Sequence, residues 1–260
     1  MTRRLLVLLT ALIGAGTVFA TPALANHSWG DYHWARTANP FTIKVIDSNT
    51  TDWDSYLDKS ISDWNASSVM DVTKEAGSPD RNCKAVAGKA KSCNAKYGRN
   101  GWLGLAQIWL SGTHIAQATA KMNDTYFSTA TYNVPVKKQH VMCQEIGHDW
   151  GLGHQDESGA DLNTCMDYAN ALDNPSPNAH DYQELEAIYG SHLDSSTTIA
   201  AGLAGDEAAR PTRTERQDRI SSSTITEEFR DGTKRVTHIT WALESRGQSQ
   251  SNAFDPGHER

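Results

Sequence analysis

Residues 144–154 constrain this chain more than any other stretch: Gln144, Glu145, His148, Gly151 and His154 stand there at fixed spacing. Residues 137–150 read as a helix, on which Gln144 and His148 lie one turn apart on one face, with Val141 and His140 preceding them. Both side chains can therefore address a common point. Gly151 falls where a helix ends by adopting positive φ, which turns the chain so that His154 returns toward that point. Whatever fold forms must bury this helix, stop it at Gly151 and accommodate the return. Three neutral donors with an open fourth position describe a catalytic zinc site, whereas a structural site is closed. A glutamate beside such an ion can take and return a proton.

The spacing resembles the H-E-x-x-H-x-x-G-x-x-H motif of the metzincin metalloproteases, with glutamine at the first histidine. Downstream, Asn163, Thr164, Cys165, Met166, Asp167 and Tyr168 resemble the methionine turn that lies beneath the metal in that family. The likeness spans roughly residues 35–195 and is strongest over 144–168. It implies an α/β domain over residues 26–194: a twisted mixed sheet, an active-site helix, a Met-turn and an irregular C-terminal part ending in a helix. It further implies a secreted zinc-dependent endopeptidase. Gln144, His148 and His154 would hold Zn2+, Glu145 would be general base and then acid, and Tyr168 would assist the oxyanion. The departure at Gln144 keeps a second expectation open, because an amide oxygen is a weaker and harder donor than imidazole nitrogen. That alternative is a non-catalytic protease-like module, binding peptide or protein with a weakened or empty metal site. In the family an edge strand pairs with extended substrate, and residues 115–123 are the expected counterpart here.

Residues 1–25 have the pattern of a secretory signal: Arg3 and Arg4, an apolar stretch, then Ala23-Leu24-Ala25 as a small-x-small cleavage site. No later segment is apolar for long enough to span a bilayer. The formal charge of −7 becomes more negative once Arg3 and Arg4 leave, which disfavours nucleic acid and anionic membranes as partners. A peptide or protein substrate in extended conformation and a monomeric state are expected. The four cysteines allow three disulfide connectivities, of which the sequence-local set, Cys83–Cys93 with Cys143–Cys165, is expected.

Phe41, Ile43 and Val45 alternate with Thr42 and Lys44 as in a half-buried strand. Thr51 and Asp54 suggest a capping pair for a helix burying Trp53, Leu57, Ile61 and Trp64. Residues 76–101 read as a disulfide-pinned loop with room for a short strand. Residues 104–110 suit a buried strand. Residues 115–123 read as a strand with a flat alanine face and a polar face of Gln117, Thr119 and Lys121. Asn178 and Asp181 form a second capping pair. Residues 195–260 read as a polar C-terminal extension, with a hairpin signal at Asp231-Gly232. His27, His33, His114, His140 and His180 are expected in packing roles, and Asp149, Asp156, Glu157 and Asp161 as solvated charges.

Overall fold

The computed structural model describes residues 27–156, 158–167, 172–197, 210–219 and 221–242. The expected signal at 1–25 lies outside them, as do Tyr168 and Glu157. Among the described residues, no helix is long and apolar enough to cross a membrane.

The architecture is mixed α/β and dominated by one sheet. Its strands are β1 (His33–Trp34), β2 (Phe41–Ser48), β3 (Met70–Ala76), β4 (Ala90–Ala95), β5 (Trp102–Ser111), β6 (His114–Asn123), β7 (Arg213–Asp218), β8 (Ser222–Glu228) and β9 (Thr233–Trp241). The order is β3-β2-β4-β6-β5-β9-β8-β7, with β1 pairing separately along the start of β6. The β3, β2, β4 and β6 neighbours run parallel, whereas every pairing from β6–β5 onward is antiparallel. Four helices accompany the sheet: α1 (Asp54–Trp64), α2 (Asp124–Phe127), α3 (Pro135–Asp149) and α4 (Ala179–Gly190).

Strand β2 has the expected alternation, with Phe41, Ile43 and Val45 buried and Thr42 and Lys44 exposed. Trp53, Leu57, Ile61 and Trp64 are buried as the helical spacing predicts. The Thr51–Asp54 capping pair does not form; the chain enters α1 through a 3-10 turn without a side-chain cap. Tertiary bonds set that entry instead: Asn94 Oδ1 accepts from the Thr50 backbone N–H at 2.7 Å, and Asp124 Oδ1 accepts from Trp53 Nε1 at 2.9 Å. At α4 the second capping pair does form, with Asn178 and Asp181 each accepting from the other's backbone N–H.

Residues 115–123 are not an edge strand. β6 pairs with β4 on one side, where Ala90 meets Ala118, and with β5 on the other, where Ala106 meets Ala120. Gln117 and Thr119, expected on a wet face, are buried. A second apolar cluster of Tyr97, Trp102, Leu105, Ile225, Ile239 and Trp241 accounts for part of that cover. Alternation alone reported a one-sided strand because it carries no information about what packs on the polar side. The sheet's edges are β3 and β7, and β7 is exposed along its whole charged length, which discourages strand addition.

The hairpin at Asp231-Gly232 is β8–β9, and Gly232 takes φ +83° in its turn. It does not stand apart: β9 pairs with β5 from Trp102↔Trp241 to Ser111↔Thr233. The C-terminal region thereby extends the main sheet.

The two disulfides are Cys83–Cys93 and Cys143–Cys165. The second ties α3 to the turn carrying Met166 across a separation of 22 residues. Loop entropy assigns such a crosslink about 3 kcal/mol. The Cys143→Ala/Cys165→Ala double variant should lose that much in urea unfolding; an unchanged midpoint would count against the assignment.

Candidate metal centre

Helix α3 begins with Pro135, whose fixed φ suits the first helical position and whose missing N–H is not needed there. From Gln139 to its end every residue is buried, because α1, β5 and β6 pack around it. Trp64 Nε1 donates to Cys143 O at 3.3 Å. Gly147 permits a close approach: a Cβ there would lie 2.5 Å from Met166 Sδ and 2.7 Å from Trp64 Cζ2. The methionine turn thus sits directly against the helix, held by Thr164 Oγ1, which accepts from the Met166 N–H at 3.0 Å.

The helix stops at Gly151, which takes φ +88° as its position predicts. Its N–H donates to His148 O at 3.0 Å. The chain then runs back beside residues 27–29, where Trp29 N–H donates to Gly151 O at 2.7 Å. Leu152 O lies 2.7 Å from His148 Nδ1 and accepts its proton, leaving the Nε2 lone pair directed elsewhere. The returning chain brings His154 up to His148, with ring centroids 4.8 Å apart.

The third imidazole comes from β9. His238 lies 4.0 Å from His148 and 4.7 Å from His154, centroid to centroid. One ligand atom from each of the three rings lies within 4.8 Å of the others, so the group could hold a metal ion. His148 Nε2 and both ring nitrogens of His238 are buried without a hydrogen-bond partner. Orphaned lone pairs that converge in a buried space are what an ion would satisfy. Trp29 stacks flat on His148 at 4.8 Å and covers the group.

The Gln144 amide is hydrogen-bonded at both ends. Its Nε2 donates to Cys165 O at 3.0 Å and to Asp167 O at 3.3 Å, tying α3 to the methionine turn. Thr240 Oγ1 lies 2.8 Å from Gln144 Oε1 and 2.7 Å from Glu145 Oε1, and its single proton serves one acceptor at a time. Glu145 Oε2 has no partner and lies 3.6 Å from His238 Nδ1. Of the residues expected at the site, His148, His154 and Glu145 converge, Gln144 braces the wall, and Tyr168 lies outside the described residues.

Burial dominates the electrostatics. It pushes the Glu145 carboxyl up to about 7, against the opposing influence of His148 and Thr240. It pushes His148 and His238 down to about 3 and His154 well below its ordinary range, so the three rings are neutral. Neutral imidazole is the ligating form. Asp149, expected as a solvated charge, is instead buried with neither carboxylate oxygen partnered. Burial, reinforced by Glu145, raises its pKa well above the ordinary carboxylate range.

His140 packs in the interior as expected. Its Nδ1 donates to Asn174 O at 2.8 Å, and burial lowers its pKa from 6.5 to about 4. An unfolded chain takes up a proton there below pH 6.5 that the folded chain refuses until about pH 4. Stability contributed by neutral His140 is therefore present above that window and lost as pH falls through it, by at most about 3 kcal/mol. In His140→Gln the decline should be shallower; parallel stability–pH curves for the two proteins would refute this.

His238 and Thr240 were not found by sequence reasoning. The hairpin signal placed both on a strand, but only the register, with His238 opposite Ala106, brings that strand's face over α3. No protein-family model matches the chain, and no curated protein matches it.

A cavity of about 490 Å³ opens beside the centre, lined among others by Trp29, Tyr32, His154, Asp156, Arg219 and Val236.

Proposed function

We propose that this chain is a secreted zinc-dependent endopeptidase of metzincin type, in which His238 takes the place of the missing first histidine. The observation that carries this is the buried convergence of three neutral imidazoles beside a glutamate oxygen with no other partner. Three nitrogen donors suit zinc and leave a position open. Zinc bound there would polarise the scissile carbonyl and acidify a water molecule.

Glu145 is the proton carrier. Thr240 Oγ1 lies against Oε1, whereas Oε2 has no partner and is the atom available to accept a proton from the attacking water and pass it to the departing nitrogen. Gln144 acts as a strut between helix and methionine turn, and is not a ligand in this reading. Trp29 shields the imidazoles from bulk water. Because β6 is interior and β9 covers the far side of β5, an extended peptide would reach the centre through the cavity at His154 and not by adding to those strands. The two disulfides suit an oxidising compartment outside the cell.

A second reading, a non-catalytic protein-binding module, is favoured by one observation: Glu145 is completely buried with β9 in place. Proteolysis of casein by the zinc-loaded protein, with a chelator control, separates the two. Chelator-sensitive cleavage supports the peptidase. Absence of cleavage at full zinc occupancy leaves the binding module.

A further inference from the structure

We infer that the chain holds a second metal ion between His33, His114 and Asp194, with His192 beside His33. These residues come from three separated segments: β1, the first residue of β6, and the stretch just after α4. His33 and His114 face each other in register across the β1–β6 pair. Along β6, His114 lies six residues from Ala120, the position level with His238 across β5. At strand rise this is roughly 20 Å, so the cluster is distinct from the centre at His148.

The donor geometry is that of a coordination site. His114 Nε2 lies 2.9 Å from Asp194 Oδ1, His33 Nε2 lies 3.7 Å from the same oxygen, and His192 Nε2 lies 3.4 Å from His33 Nε2. Four donors about 2.0–2.1 Å from a tetrahedral zinc ion stand about 3.3 Å from one another. The observed separations bracket that value. One ligand atom each from His33, His114 and Asp194 also lies within 4.8 Å of the others.

The surrounding bonds orient these donors inward. His33 Nδ1 donates to Asp31 O at 2.6 Å, which leaves the lone pair on Nε2. His192 Nδ1 is 3.2 Å from Ser191 Oγ, and its Nε2 faces His33 Nε2. Asp194 Oδ2 accepts from the Arg36 backbone N–H at 3.0 Å and from Arg36 Nη1 at 3.2 Å, which turns Oδ1 toward the imidazoles. A His114–Asp194 ion pair alone does not account for the His33 imidazole directing Nε2 at the same carboxylate oxygen. Bound by these three donors, the ion would join β1, β6 and the end of α4.

Cobalt titration of the chelator-stripped full chain tests this, because Co2+ in a tetrahedral site with imidazole donors absorbs intensely in the visible. Two equivalents should bind. His114→Ala alters a partly exposed side chain and should remove one equivalent or weaken it by more than about tenfold. Its circular dichroism should match the parent's at low temperature. His238→Ala should remove the other equivalent and leave this one. Unchanged stoichiometry and affinity in His114→Ala would overturn the second site. A single equivalent lost in His114→Ala but kept in His238→Ala would uphold it while defeating the proposed catalytic centre.

Discussion

His238→Ala should abolish tight zinc binding at the His148 centre, while Gln144→Ala should leave it in place. Two imidazoles cannot hold the ion as three do. Loss of a coordinating group should exceed the 10–100-fold that a merely supporting residue costs, so a drop beyond about 100-fold is expected. Gln144→Ala instead orphans Cys165 O and Asp167 O, to which the amide donates. That should cost about 1–3 kcal/mol of stability without loss of zinc. Competition against a chromophoric chelator measures the first effect and thermal unfolding the second. Should Gln144→Ala release the ion and His238→Ala retain it, the glutamine would be the ligand and β9 a bystander.

Glu145→Gln should reduce peptide-bond hydrolysis by about 10²–10⁴-fold with zinc content unchanged. The amide preserves the shape of the side chain and the contact to Thr240, and removes only the ability to accept a proton at Oε2. The fall should lie in kcat, since Glu145 sits behind the imidazoles and lines none of the cavity. Rates within a few-fold of the parent would remove Glu145 from the mechanism.

Much of the fold was legible because its signals are local. The 3.6-residue spacing of Trp53, Leu57, Ile61 and Trp64, the two-residue alternation in β2, the Asn178–Asp181 cap and the Asp231-Gly232 turn each reflect neighbouring residues. Gly151 was legible too, since a helix stop demands a particular backbone angle. What local patterns could not reveal was strand order. Residues 115–123 looked like an edge because alanines alternate with polar residues, yet β4 and β5 flank the strand and Gln117 and Thr119 are buried. The same blindness hid His238. It is separated from His154 by most of the C-terminal region, and nothing in its own neighbourhood distinguishes a ligand from a strand histidine. Asp149 was misread for a related reason: a carboxylate at a helix end usually reaches water, and here the interior closes over it.

That the third imidazole rides on β9 has a consequence for the order of events during synthesis. Ribosomes deliver the chain from its N-terminus at about 5–20 residues per second, so His238 follows His154 by roughly 4 to 17 s. Throughout that interval a nascent chain carries Glu145, His148 and His154 without the third imidazole. The proposed centre becomes competent only when the last strand docks on β5. A chain cut short between His154 and β9 would contain the whole helix motif and still be inert, so completion of the polypeptide acts as the centre's own clock.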